Sequence, residues 1–99
     1  MWFAIFGEDN EGSLELRKEL RPAHLQRLAQ LQDQGRLLLA GPHPLNDTED
    51  PMVSGFTGSL MVVEFASLEE AKVWALDDPY YQGGVFAKVE VKPFIKAAP

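Results

Sequence analysis

Ser59-Leu60-Met61-Val62-Val63-Glu64-Phe65-Ala66-Ser67-Leu68-Glu69-Glu70-Ala71 is the stretch whose reading decides the fold. Its first half, Ser59 to Phe65, is an apolar, β-branched run and reads as a buried strand. Its second half opens on Ser67 with Glu70 at the third helical position, the capping-box spacing that starts a helix. Leu68, Ala71, Trp74 and Ala75 then share one helical face, and the helix is expected to end near Asp78-Pro79. A strand therefore feeds almost directly into a helix.

Toward the C-terminus, Gly83-Gly84 marks a turn. A last strand follows, with Val85, Ala87, Val89 and Val91 expected on one side and Lys88, Glu90 and Lys92 on the other; Pro93 and Phe94 close it. In the other direction, Pro42 to Gly58 holds three prolines and two glycines and reads as a long loop, of the kind that is often functional. Before it, Leu37-Leu38-Leu39-Ala40 reads as a second strand bounded by Gly41-Pro42. Further upstream, Ser13 can cap a helical segment carrying Leu14, Leu16 and Leu20. Arg21-Pro22 predicts a second helix, or a kinked continuation, from Pro22, with Leu25, Leu28, Ala29 and Leu31 as its apolar stripe and Gly35 as its C-terminal cap. Trp2 to Phe6 is a first strand, apolar on both faces, and Gly7 to Gly12 reads as a solvated loop.

The order is β-α-β-β-α-β, the split βαβ or ferredoxin-like arrangement of an α+β domain. Two helical regions cover one face of a four-stranded sheet. The first three strands are apolar on both sides, so the second face also needs a cover. A second copy of the same sheet would supply one, giving a homodimer; the long loop folding over is the alternative.

The chain has 99 residues, enough for one domain spanning 1–99 and no more. Hydrophobic residues make up 45%, which argues against disorder. There is no cysteine, so disulfides, thiolate metal sites and cysteine nucleophiles are excluded. Nine basic against fifteen acidic residues leave a net charge of −6, a poor basis for binding nucleic-acid phosphates. No apolar run has the length of a membrane span, and MWFAIFGEDN has no basic n-region or cleavage site, so a cytoplasmic location is expected.

Few residues can carry chemistry. His24 lies near the start of the helix expected from Pro22, on the line of Leu20, Leu28 and Leu31, so it points toward the buried side. It reads either as a core-edge histidine bonded to backbone or as a general base, since a helix N-terminus favours the neutral ring. His43, in Gly41-Pro42-His43-Pro44, reads as an exposed loop histidine. No ligand spacing supports a zinc site with His24, so no metal and no cofactor are expected. Asp77-Asp78-Pro79-Tyr80-Tyr81 reads as a helix-stopping turn or as the source of a carboxylate that orients a histidine, with tyrosines lining a pocket or simply packing. Arg17 and Arg21 follow each other at i, i+4 and read as surface ion-pairing residues or as an anion contact at a pocket rim. Phosphate-cradle motifs are absent, and Ser59 lacks the context of a hydrolase elbow.

Taken in order, several blocks resemble the YciI-like (YCII-related domain) family. They are Ser13-Leu14-Glu15 with Arg17, Arg21-Pro22-Ala23-His24-Leu25, Gly35-Arg36-Leu37-Leu38, Ala40-Gly41-Pro42, Gly55-Phe56-Thr57-Gly58-Ser59, Ser67-Leu68-Glu69-Glu70-Ala71, Asp78-Pro79-Tyr80, Gly84-Val85 and Val91-Lys92-Pro93-Phe94. The resemblance implies a ferredoxin-like protomer paired as a dimeric α+β barrel, with a cleft centred on a histidine and an aspartate. These fall on His24 and on Asp78, with Asp77 adjacent. Related barrels include cofactor-free isomerases and dehydrochlorinases of aromatic catabolism. The implied activity is acid–base catalysis on a small, cyclic or aromatic, hydroxylated metabolite, with Arg17, Arg21, Pro42, Ser59 and Tyr80 as candidate substrate contacts. A non-catalytic dimer that binds such a molecule is the rival reading. The chain departs from the family pattern at Trp2, His43 and Tyr81, which bears on pocket shape.

Overall fold

The computed structural model describes residues 1–47 and 50–99. Four strands, β1 (Trp2–Asp9), β2 (Leu37–Pro44), β3 (Phe56–Glu64) and β4 (Phe86–Phe94), form one sheet in the order β2-β3-β1-β4. Every neighbouring pair is antiparallel. Helix α1 (Leu14–Asp33) joins β1 to β2 and α3 (Leu68–Leu76) joins β3 toward β4. Each crossover leaves a gap filled by a strand of the other unit, β3 between β1 and β2, and β1 between β3 and β4. Two one-turn helices that the pattern did not suggest, α2 (Pro51–Ser54) and α4 (Pro79–Gln82), complete the chain.

The start of α3 follows the capping-box expectation: the Ser67 hydroxyl accepts from the Glu70 N–H at 3.2 Å. Gly35 likewise ends α1 in the left-handed region, with φ of 70°, while the Arg36 N–H returns to the Leu31 carbonyl. Ser13 stands at the start of α1, but its side chain makes no capping bond; only its carbonyl accepts, from Arg17 N–H.

The break expected at Arg21-Pro22 does not occur. α1 runs through Pro22 as one helix of 20 residues. Proline costs the helix the bond to the Lys18 carbonyl, about 3 kcal/mol or more in an interior position. Burying Leu28 and Leu31 on the same face offsets this, at about 2 kcal/mol each.

β2 also runs past its expected end, through Gly41-Pro42-His43-Pro44. It is an edge strand, where a proline's missing donor can face away from the ladder. The loop after it is correspondingly shorter. β1 reaches Asp9, so the solvated loop begins later than the glycines suggested. Register shifts mark a bulge in β2 between Leu37 and Leu39, and another opposite Glu8/Asp9, where Ala87 is the extra residue of β4. The second bulge changes the phase of β4: Phe86 is buried and Ala87 exposed, against the expected alternation.

The helix-covered face holds the core. Ile5, Met61, Val63 and Phe86 pack there against Leu28 and Leu31 of α1, Ala75 of α3 and Tyr80 of α4. The opposite face carries Trp2, Ala4 and Phe6 of β1, which pair in register with Glu64, Val62 and Leu60 of β3. Phe6, Leu39 and Phe94 on this face are 39%, 49% and 36% exposed. The described part of the β2–β3 loop does not cover them. It turns to the helix side, where Met52 shares a small hollow with Arg17, Arg21 and Pro42. Among the described residues, no helix is long and apolar enough to cross a membrane.

Candidate functional site

The buried face of α1 carries two polar residues two turns apart, Arg17 and His24. Each meets a carboxylate from elsewhere in the chain.

His24 is 6% exposed and Asp78 is fully buried. The ring Nδ1 lies 2.9 Å from both carboxylate oxygens of Asp78, 54 residues away in sequence. An ionised carboxylate only accepts, so Nδ1 donates to it. Asp78 is itself fixed by local structure. It caps α4, with Oδ1 accepting from Tyr80 N–H at 2.8 Å, and Pro79 occupies the first helical position. The Asp-Pro pair that stops α3 is thus also the start of another helical turn, which supplies an N–H to the carboxylate. Asp77, the alternative partner, is the exposed C-cap of α3.

Tyr80 stacks on the His24 ring at 4.1 Å between centroids and 10° between planes. The Tyr80 ring also meets Phe86 edge-on at 5.4 Å. Phe86 can lie there because Gly7 leaves room: a Cβ at Gly7 would stand 2.5 Å from the Phe86 ring. Burial pushes the Tyr80 phenol above its ordinary pKa, with the Arg17 and Arg21 cations pulling the other way.

Arg17 is buried and engaged. Its Nε and Nη2 form a two-pronged pair with Asp9, each at 2.9 Å, and Nη2 also donates to the Gly58 carbonyl at 3.2 Å and the Ser59 hydroxyl at 3.0 Å. Its guanidinium lies over the rings of Tyr80 at 4.8 Å and Phe56 at 4.9 Å. Arg21 is exposed one turn further along.

These residues surround a cavity of about 150 Å³ lined by Arg17, Arg21, His24, Pro42, Ser59 and Tyr80, with Leu25, Leu28 and Met61 as apolar wall. Asp78 stands behind His24. The structure therefore brings together the seven residues that the resemblance assigned to the cleft. It leaves His43 elsewhere: that residue pairs with Gly58 and lines a separate hollow on the open sheet face with Phe6, Glu8, Lys88 and Glu90. Among the described residues, no three His, Asp or Glu side chains converge as metal ligands would. Sequence reasoning missed Asp9, placed in a presumed solvated loop, and Arg27. The second had a signal: Arg27 follows His24 by one helical turn and so faces the same neighbours. Its Nη1 is 3.7 Å from Asp78 Oδ2.

A buried imidazole held by a carboxylate thus stands at the wall of a small, mostly apolar cavity in a small α+β domain. The YCII-related domain matches residues 1–95, and the chain belongs to that family. Protein YciI of Escherichia coli O6:H1 is 53% identical over 96 residues, 97% of this chain and 98% of that one. A protein of Haemophilus influenzae is 50% identical over the same share of both chains. The derivative of benzaldehyde biosynthesis cluster protein C of Emericella nidulans is 35% identical over 88 residues, 84% of this chain and 87% of its own. Among solved structures, 5-chloro-2-hydroxyhydroquinone dehydrochlorinase (TftG) of Burkholderia phenoliruptrix, in complex with 2,5-dihydroxybenzoquinone, superposes with a TM-score of 0.84 at 29% identity, covering 96% of this chain and 94% of that one.

Proposed function

We propose that the protein is a cofactor-independent acid–base enzyme acting on a small hydroxylated ring, with His24 as the base and Asp78 as its orienting partner. The observation that carries this reading is the His24–Asp78 contact at 2.9 Å beside a cavity of about 150 Å³. A cavity of that size accommodates a single six-membered ring. The dehydrochlorinase that superposes on this chain holds one such ring, a dihydroxybenzoquinone.

In the proposed reaction, Nε2 takes a proton from a ring hydroxyl or an enolisable carbon. The electron pair left behind forms a C=O or C=C bond, and either a leaving anion departs from the ring or the proton returns at another carbon. Asp78 holds the ring tautomer and stabilises the imidazolium that forms. Arg21, exposed at the rim, faces the anionic oxygen of the substrate. Arg17 contributes as a wall, because its donors already serve Asp9, Gly58 and Ser59. A second copy of the chain covers the open sheet face, whose exposed Phe6, Leu39 and Phe94 favour a homodimer.

The test is turnover of hydroxylated and halogenated monocyclic phenols by wild type and His24→Ala. Loss of turnover by about a hundredfold or more is expected of a missing general base. Full turnover in His24→Ala would overturn the mechanism. Binding that stabilises wild type without product formation would favour the rival reading, a small-molecule-binding dimer, for which the aromatic and cationic cavity wall is already suited.

A further inference from the structure

A third charged group reaches Asp78. Arg27, one turn beyond His24 on α1, places Nη1 3.7 Å from Asp78 Oδ2. That nitrogen is buried and has no hydrogen-bond partner among the described residues. The rest of the guanidinium is firmly held: Nη2 donates to the Trp74 carbonyl at 2.8 Å, and the group lies 4.4 Å over the Trp74 ring. An orphaned, sealed guanidinium nitrogen is costly unless its charge answers another. The charge it answers is the carboxylate that the proposed mechanism assigns only to His24.

We propose that Arg27 is a positioning residue for the His24–Asp78 pair, balancing the Asp78 carboxylate and so opposing protonation of the imidazole. The inference deepens the acid–base reading above and rests on it.

Charge counting supplies the reason. With Arg27 present, carboxylate and guanidinium sum to zero when His24 is neutral and to one positive charge when it is protonated. Without Arg27, the neutral ring would leave a buried carboxylate uncompensated, and protonating His24 would remove that penalty. Arg27 therefore opposes protonation of the base. Other charged or titratable groups face the pair from each neighbouring element. Arg17 and Arg21 come from α1, but Arg17 is cancelled by Asp9. Asp77 ends α3 and is exposed, so solvent screens it. Tyr80 of α4 is held in its neutral form by burial. Burial draws the Arg27 pKa down, with Asp78 and Asp77 opposing, yet an arginine stays charged throughout the physiological range. The arginine fork matters because one nitrogen serves Trp74 while the other reaches Asp78, a division that lysine cannot make.

The experiment is an NMR pH titration of the His24 ring in wild type, Arg27→Met, Arg27→Lys and Asp78→Asn, with His43→Gln to assign the signals. Arg27→Met is expected to raise the His24 midpoint by about one pH unit, and Arg27→Lys by less than half as much, since it retains the charge. If Arg27→Met fails to fold, Arg27→Gln, whose amide can still donate to the Trp74 carbonyl, gives the same reading. A midpoint unmoved or lowered in the neutral variants, while Asp78→Asn lowers it, would overturn the role of Arg27 alone. A midpoint indifferent to Asp78→Asn would overturn the pair itself, and with it the acid–base reading.

Discussion

Two side chains on the same helix face meet carboxylates, and they differ in how many partners they hold. Arg17 meets Asp9 with two prongs and still finds the Gly58 carbonyl and the Ser59 hydroxyl. It ties α1 to β1 and β3 at once. His24 meets the Asp78 carboxylate through Nδ1 and lines the cavity. Burial is similar in both. What separates them is that Arg17 holds three partners on two strands, whereas the role proposed for His24 leaves its second nitrogen to a ligand.

The largest expected effect breaks the first contact. Asp9→Ala strands the Arg17 charge and should lower stability by about 3–5 kcal/mol in urea unfolding. Asp9→Leu with Arg17→Met, which removes both charges, should recover most of that loss. If the double variant is no better than the single one, Arg17 has roles beyond the pair.

Asp78→Asn breaks the second contact more gently. Asparagine keeps the cap on α4 but leaves the partly exposed Arg27 cation without its carboxylate, so unfolding should show a loss of about 2–3 kcal/mol, while the His24 midpoint falls and turnover drops far more than stability. A variant that lost stability and nothing else would make the two contacts alike.

Ser59→Ala removes one acceptor of Arg17 and should cost about 1 kcal/mol, leaving the His24 titration unchanged. A shifted titration would show that the two contacts are coupled through the cavity wall.

The smallest effect lies at alkaline pH. The Tyr80 phenol is raised above its ordinary value of 10.0 by burial. The native state thus prefers the neutral phenol, and this contributes stability that is complete below the unfolded value and lost as pH rises through the folded one. Tyr80→Phe should lose the shallow alkaline decline that starts above about pH 10, as read from unfolding midpoints across pH.

Much of the scaffold was legible because its signals are local. Ser67 with Glu70, Gly35 and the run Ser59 to Phe65 each state their role within a few residues. The extents were less so. Pro22 and Pro42 looked like boundaries because their cost is local, whereas the burial that overrides it depends on partners far along the chain. The bulge at Ala87 is invisible to a period-two pattern for the same reason. Within the site, no spacing links position 24 to position 78; only the family resemblance joined them in advance. Asp9 was lost among neighbouring acidic residues, and nothing short of the fold shows that this one meets Arg17.

β1 is central in the sheet, yet one of its two neighbours is the last strand in the chain, paired from Trp2↔Phe94 to Asp9↔Phe86. Such pairing gives a high contact order and slows folding. The Phe86 ring that packs on Tyr80 over Gly7 comes from that distant strand, so a chain in which β4 is frayed from β1 would keep Tyr80 and His24 but lose the ring that steadies them.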